Sequence, residues 1–366
     1  MSSKEIELAL GASYGAVTAR TPEDAHGPGI LVLYPKGYDQ NIIIKNTTLY
    51  AAEGYNCISL TTENLDENVI NSLINKVTSL KSLVGKIAVI SFGQAAPVAI
   101  AMAKHSSIKC AVYYEPPHID VAKSRCDVII HSSTPEKFSH LEGHDNLKIF
   151  SYPDVSNDFF SPTSAGYNKP ATLIAYSRTL EAIRNKIGPI YDLTALWELH
   201  TQYEFGERNV EATMSTMVDE PYVNHIPTMT GGVGYKNLKK FYTNFFVNSN
   251  PPDTKLVPIS RTIGSDRLVD EMIFSFTHTC EVPWMLPNMK PTNKFVQVPL
   301  VAIVNFRGNK LYHEHIYWDQ ASVLAQVGAI DPKDLPIVGS QAAEKLMDEG
   351  LPSNELMGSA WTNIPE

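Results

Sequence analysis

Cysteine is scarce in this chain, and no two cysteines lie close together. Cys57, Cys110, Cys126 and Cys280 are the only four in 366 residues, with no Cys-x-x-Cys pair among them. That spacing offers neither a zinc-finger ligand set nor a disulfide framework. Three of them fall in or beside apolar runs and are expected as buried thiols. No stretch reaches 18 consecutive apolar residues, so no membrane span is expected. The opening "MSSKEIELALGASYG" lacks an apolar core of signal-peptide length. These absences together point to a reducing compartment, the cytosol. Blocks of Lys and Arg with interleaved aromatics are also missing. With a net charge of −9, nucleic acid is not an expected partner. Internal repeats and low-complexity segments are absent as well.

What is present is material for a large core: 43% of the residues are apolar and 19% charged. A chain of this length exceeds one comfortable core, which makes two domains the natural expectation. The first half alternates strand and helix signals. "GILVLYP", "YNCISL", "KIAVIS", "KCAVYYEP", "CDVIIHSS" and "LKIFSYP" are short apolar runs. Between and after them come helical patterns, among them "LDENVINSLINKVTSL" and "PATLIAYSRTLEAIRNKIG". Unbroken apolar strands separated by helices indicate a doubly wound parallel sheet covered on both faces.

The pattern changes near Gly188-Pro189. Asp192 is placed to cap a helix whose buried stripe is Leu193, Leu196, Trp197, His200 and Glu204. Two further helical segments follow, "NVEATMSTM" and "GYKNLKKFYTNFF". Then come long strands, the last two joined at Arg307-Gly308-Asn309. Helices followed by an antiparallel meander make an α+β pattern. The expected division is 1–187, 188–331 and a Pro-rich extension, 332–366.

The stretch "VISFGQAAPVAI" is an apolar strand, a tight turn and a small-residue helix. It resembles the nucleophile elbow of the dienelactone hydrolase family of α/β-hydrolases, and the resemblance covers most of residues 15–187. The elbow exists to lift a Ser or Cys to the top of the sheet. Here Gly93 holds the nucleophile's place. Pro135 falls nearest the place of the family's acid, with Glu136 one step away. Asn157, in "VSNDFFSP", falls where its His would be, and an amide does not take a proton from a hydroxyl at neutral pH. The resemblance therefore implies a hydrolase fold kept without its triad. Ser91, Cys110, His131, Ser132 and Ser133 lie near strand ends and are the only local substitutes in view.

From Asp192 to Asp331 the chain resembles the SnoaL-like families of the NTF2-like superfamily. The resemblance rests on "HTQYEFGERNVEATMSTMVDEPYVNHIPTMTGGVGYKNLKKFY" and "KLYHEHIYWDQASVLAQVG". It implies a cone-shaped curved sheet around three helices, a deep apolar pocket and face-to-face pairing into a homodimer. His225, in "YVNHIP", falls where ketosteroid isomerase-like relatives carry a general base. Asp319 matches an aspartate of cyclase-like relatives, or else caps the next helix. Glu271 inside an apolar cone would serve as acid or base, and facing water it would not. On the last strand His313, His315 and Tyr317 share one face, and Glu314, Ile316 and Trp318 the other; only one set faces the pocket.

The expected catalytic set is His225, Glu271, His315 and Asp319. His200, Glu204, Phe276, Trp284, His313 and Tyr317 are expected as pocket lining. A metal held by His313, His315 and His225 finds no other support, and no metal or cofactor is expected. An epoxide hydrolase of this fold needs Asp-Arg-Asp where Ile316 and Met272 to Phe274 stand. The expected function is acid–base isomerisation, cyclisation or hydration of a small apolar carbonyl compound. A ligand-binding or scaffold protein, and a residual ester or lactone hydrolase, are the alternatives.

Overall fold

The computed structural model describes residues 3–5, 17–22, 26–62, 65–117, 124–141 and 143–365. Most of the opening stretch read for a signal peptide lies outside them. The chain divides into two compact units, Met1–Tyr191 and Asp192–Glu366. The division falls just beyond the expected residue 187. Tyr191 stays with the first unit, where its hydroxyl donates to the Glu53 carbonyl at 3.2 Å.

The first unit runs β1 (Lys4–Glu5), β2 (Val17–Thr21), β3 (Gly27–Tyr34), α1 (Gln40–Ala52), β4 (Asn56–Thr61), α2 (Glu67–Thr78) and β5 (Leu83–Phe92). It continues with α3 (Ala96–Met102), β6 (Ile108–Tyr114), β7 (Asp127–Ser132), β8 (Leu147–Ser151) and α4 (Lys169–Ile187). Its sheet has the order β1-β2-β4-β3-β5-β6-β7-β8. From β4 through β8 neighbours are parallel, while β2 joins β4, and β1 joins β2, antiparallel. Successive strand residues bury opposite faces. Leu31 and Leu33 pack with Leu73, Ile74 and Met102 on one side. Ile30, Val32 and Tyr34 pack with Tyr50, Leu180 and Ile183 on the other. Helices start where side chains satisfy their first amides: Asp66 accepts from Val69 N, and Asn168 from Ala171 N.

Two buried polar groups lock this unit. Arg184 Nη2 meets Glu53 Oε2 at 2.6 Å, both side chains being nearly or fully buried, and Tyr176 donates to Glu53 Oε1 at 2.8 Å. His131, fully buried on β7, bonds through Nδ1 to the Tyr152 hydroxyl (2.8 Å) and through Nε2 to Thr179 Oγ1 (3.0 Å). Thr179 in turn meets the Tyr114 hydroxyl at 2.8 Å.

The second unit runs α5 (Leu193–Thr201), α6 (Val210–Ser215), β9 (Met217–His225), β10 (Thr230–Val233) and α7 (Tyr235–Phe241). Then follow β11 (Lys255–Ile263), β12 (Arg267–Thr277), β13 (Phe295–Arg307), β14 (Lys310–Trp318), α8 (Gln320–Val327), α9 (Gln341–Met347) and α10 (Ser359–Thr362). Asp192 caps α5 as expected, accepting from Ala195 N at 2.9 Å. The sheet order is β10-β9-β14-β13-β12-β11. Every pair is antiparallel except β14 with β9. The segment between the second and third helices is the β9–β10 hairpin. Gly231 is required there: with φ +139°, a Cβ would sit 2.0 Å from the Val223 carbonyl oxygen. In the extension, Ala343 of α9 is buried.

Two measurements test the locks. Arg184→Met strands a buried carboxylate, so the first unit should lose about 3–5 kcal/mol in urea unfolding. Burial, helped by the charge of Arg178, pulls the His131 pKa down to about 3. The native state thus refuses a proton that the unfolded chain accepts below its ordinary value. The stability from neutral His131 is complete above that value. It should fall by roughly 1.4 kcal/mol per pH unit as the medium is acidified below it. Urea midpoints at neutral pH and at a moderately acid pH, in wild type and His131→Gln, read this slope.

Candidate functional site

The first unit has the elbow's backbone without its chemistry. Gly93 follows β5 directly and opens a short 3-10 turn into α3. Its φ is +49°, and among the described residues no atom lies within 4 Å of where a Cβ would be. The turn thus has the left-handed bend and the space for a side chain, and glycine supplies none. Pro135 opens the 3-10 helix Pro135–Leu141, and Asn157 is exposed in the loop before α4. The strand tops near the turn are filled with rings. Phe92 stacks on Tyr34 at 5.0 Å and packs against Tyr114 and Phe160 at 4.8 and 5.1 Å. The local substitutes do not assemble either. Both ring nitrogens of His131 are taken, Ser132 Oγ donates to Glu115, and Ser133 N bonds the same carboxylate. Ser91 and Cys110 are buried, and burial raises the Cys110 thiol far above its ordinary pKa.

The second unit encloses a buried cavity. Its walls come from α5, β9, the turn after α7 and the inner face of β12 to β14: Trp197, Phe205, His225, Phe246, Phe274 and Trp284, with Thr201, Glu204, Tyr242 and Glu314 adding polar groups. The void is about 30 Å³, room for about two waters. The deep pocket expected from sequence is therefore much smaller, because the aromatic rings close on one another. His225 and Trp284 lie 4.8 Å apart, and Phe246 and Trp284 5.4 Å.

Two helical irregularities aim the polar groups. After α5 and after α7 the chain takes single π turns, Gln202–Gly206 and Tyr242–Phe246. Their i→i+5 bonds are Glu207 N to Gln202 O at 2.8 Å and Val247 N to Tyr242 O at 3.1 Å. One turn carries Glu204 and Phe205, the other Tyr242 and Phe246, all four lining the cavity. Single π turns recur at functional sites because the extra residue re-aims side chains.

At the polar end His200 lies between two carboxylates. Its Nε2 is 3.1 Å from Glu204 Oε1 and 3.3 Å from Glu314 Oε1, and all three side chains are buried. Its Nδ1 is 2.6 Å from Thr216 Oγ1, whose own hydroxyl donates to the Thr213 carbonyl at 2.7 Å. With that proton committed, Thr216 accepts from His200, so Nδ1 carries a hydrogen and Nε2 faces the carboxylates. Burial alone would lower the pKa of His200. The two carboxylates outweigh it and raise the imidazole to about 10. Burial, with Glu204 nearby, raises Glu314, against the pull of His200. Glu314 Oε1 and the Tyr242 hydroxyl are both buried; the oxygen's one partner is His200 Nε2 at 3.3 Å, and the hydroxyl stands beside Glu204. Three donors, one each from His200, Glu204 and Glu314, lie within 4.8 Å of one another.

The expected site residues separate accordingly. His200, Glu204 and Trp284 belong to the cavity region. His225 does too, with Nδ1 on the Thr230 carbonyl at 3.1 Å and burial lowering its pKa to about 4. Glu271 points to the outer face and accepts from Ser260 at 2.8 Å. Its neighbour Asp270 faces inward but is held by Arg261 at 2.9 Å and by Trp197 Nε1 at 2.9 Å. His313 and His315 stack 5.0 Å apart on the outer face, with Tyr317 on the same side and 39% exposed. They cannot meet His225, which lies inside. Asp319 caps α8, accepting from Ala321 N and Ser322 Oγ. Phe276 is buried on the inner face but packs on Phe274, away from the cavity lining. Glu314 and Tyr242 were not in the expected set. The alternation of β14 offered Glu314 as one of two possible faces, and its apolar face-mates Ile316 and Trp318 were the signal for the inner one.

No protein-family model matches the chain, and no curated protein matches it. Solved structures do show likeness. A protein designated a dienelactone hydrolase, from Klebsiella pneumoniae, is 14% identical, with 49% of this chain and 97% of that one covered at a TM-score of 0.43. An NTF2-like protein of unknown function from Burkholderia pseudomallei is 12% identical, with 37% and 96% covered at 0.30. A protein of ketosteroid isomerase-like fold from Catenulispora acidiphila, solved with trimethylamine, is 14% identical, with 38% and 95% covered at 0.29. The hydrolase-type and NTF2-type structures match different parts of the chain.

Proposed function

We propose that the cavity of the second unit is a proton-transfer site for a small, largely apolar carbonyl compound, with His200, Glu204 and Glu314 as its working groups. The observation that carries this reading is one buried carboxylate oxygen, Glu314 Oε1. It lines the void beside Glu204 and Tyr242, and its one partner is an imidazole nitrogen at 3.3 Å. A carboxylate held at the edge of a void by a single partner keeps lone pairs to receive a substrate's hydrogen. Glu314 is placed to remove or return a proton at a carbon next to a carbonyl. His200 and Glu204 hold the balancing charge, and the Tyr242 hydroxyl is free to donate to the oxygen that becomes negative. The small void restricts the substrate in size, and anything larger must displace Phe205 or Phe246 on the two π turns. The first unit, on this reading, contributes no chemistry of its own.

The chemistry is read without knowing the natural substrate. In D2O, the full chain should accelerate deuterium incorporation beside the carbonyl of small cyclic ketones and enones, followed by proton NMR. Glu314→Gln keeps the shape and should lose about 100-fold or more of that rate. Exchange that ignores this variant, or no acceleration with any ketone, sinks the reading. The silent first unit has a separate measurement. A serine-directed fluorophosphonate should leave the wild-type chain unlabelled, as intact-mass spectrometry will show.

A further inference from the structure

We propose that His200, Glu204 and Glu314 form a binding site for a first-row divalent metal ion, one ion per chain. The inference rests on the reading that this cavity is the working site, and it names the group that occupies its polar end. The geometry comes first. Two donors bound to one ion at about 2.1 Å stand roughly 3.0 Å apart at a right angle and roughly 3.4 Å apart at a tetrahedral angle. The Nε2–oxygen separations of 3.1 and 3.3 Å fall between those values. The imidazole is already set as a ligand. Its Nδ1 is committed to Thr216, which leaves Nε2 as the atom facing the carboxylates, and such an outer-shell bond is what fixes a metal-binding histidine.

Two further atoms point into the same place. Glu314 Oε1 has only the His200 nitrogen at 3.3 Å, and the buried Tyr242 hydroxyl stands beside Glu204 at the edge of the same void. A cation at this end takes the place of the imidazole's proton between the two carboxylates. The void of about 30 Å³ leaves room for about two waters to complete its coordination. Charge favours the same occupant. Two buried carboxylates with a neutral imidazole carry two negative charges, which one divalent ion cancels. One nitrogen and two oxygen donors suit zinc, manganese, iron(II) or cobalt(II), rather than the softer ions that want thiolate. Binding forms the Nε2–metal bond, and any hydrogen on Nε2 leaves to water as a proton. The proton and the ion therefore exclude each other. With the ion bound, the proton-transfer group is a water held on it.

The test uses the full chain, stripped with a chelator and titrated with cobalt(II) at neutral pH. The readouts are visible absorption and calorimetry. The stacked pair His313 and His315 on the outer face is a rival ligand set, so the titration is repeated in a His313→Ala/His315→Ala variant. The expected result is one cobalt per chain in both proteins. Glu314→Gln should bind at least about tenfold more weakly while its circular dichroism and melting temperature in the stripped state stay near wild type. Glu204→Gln gives the same comparison should Glu314→Gln fail to fold. Loss of binding in the outer-face variant, unchanged binding in both glutamate variants, or no uptake by wild type overturns the metal. Ketone exchange is measured on the same stripped protein. Exchange that persists without metal and dies in Glu314→Gln keeps the proton-transfer reading while removing the ion. Stoichiometric cobalt without any exchange does the reverse.

Discussion

Two carboxylates and one imidazole are buried together among aromatic rings, and the second unit is arranged around that fact. Ions in such a setting cost several kcal/mol each unless they are paired and hydrogen-bonded. The chain meets the cost from three directions. Thr216, itself committed to the Thr213 carbonyl, fixes one ring nitrogen of His200. The π turn after α5 brings Glu204 to the other. The pairing of β14 with β9 sets Glu314 opposite Val223 and turns it inward. That same pairing sends His313 and His315 outward, since neighbours on a strand face opposite ways. One register therefore decides which of three adjacent polar residues enters the cavity.

The first unit obeys the same rule with the opposite result. Two of its buried polar groups close into networks, although others, such as the Ser91 and Tyr113 hydroxyls, do not. His131 spends both nitrogens on Tyr152 and Thr179, and Glu53 is held by Arg184 and Tyr176. The turn at Gly93 retains the backbone bend of a nucleophile's seat, yet rings of Tyr34, Phe92, Tyr114 and Phe160 fill the strand tops. Packing needs the bend and the small residues around it. Nothing in packing needs a hydroxyl at position 93.

Much of this was legible in the sequence, for reasons that can be named. Apolar runs between helices gave the mostly parallel sheet, and Asp192 before a periodic stripe gave the start of α5. His200 and Glu204 stood out because polar residues on a buried stripe need partners. Other features depend on contacts distant in the chain. Period-two alternation divides β14 into two faces without saying which is inner. On β12 it left Glu271 and Asp270 as equals, and register gave the inner place to Asp270. The two π turns have no sequence signature as plain as a cap. Cavity size depends on how rings meet, and no pattern along the chain encodes the 4.8 Å approach of His225 and Trp284.

The small size of the void is part of the chemistry. Rings that leave space for about two waters also keep the local dielectric low, and each charge inside acts more strongly than it would in an open cleft. Apolar side chains of similar volume in place of His200, Glu204 and Glu314 would pack such a cone at less cost, since buried ionic clusters seldom stabilise a fold on balance. Stability therefore does not explain why they are there. Nor does the need for a unique packing, which Trp197, Phe274 and Trp284 already provide. What the polar groups add that leucines would not is a carboxylate, an imidazole and a phenol held at the edge of a small void.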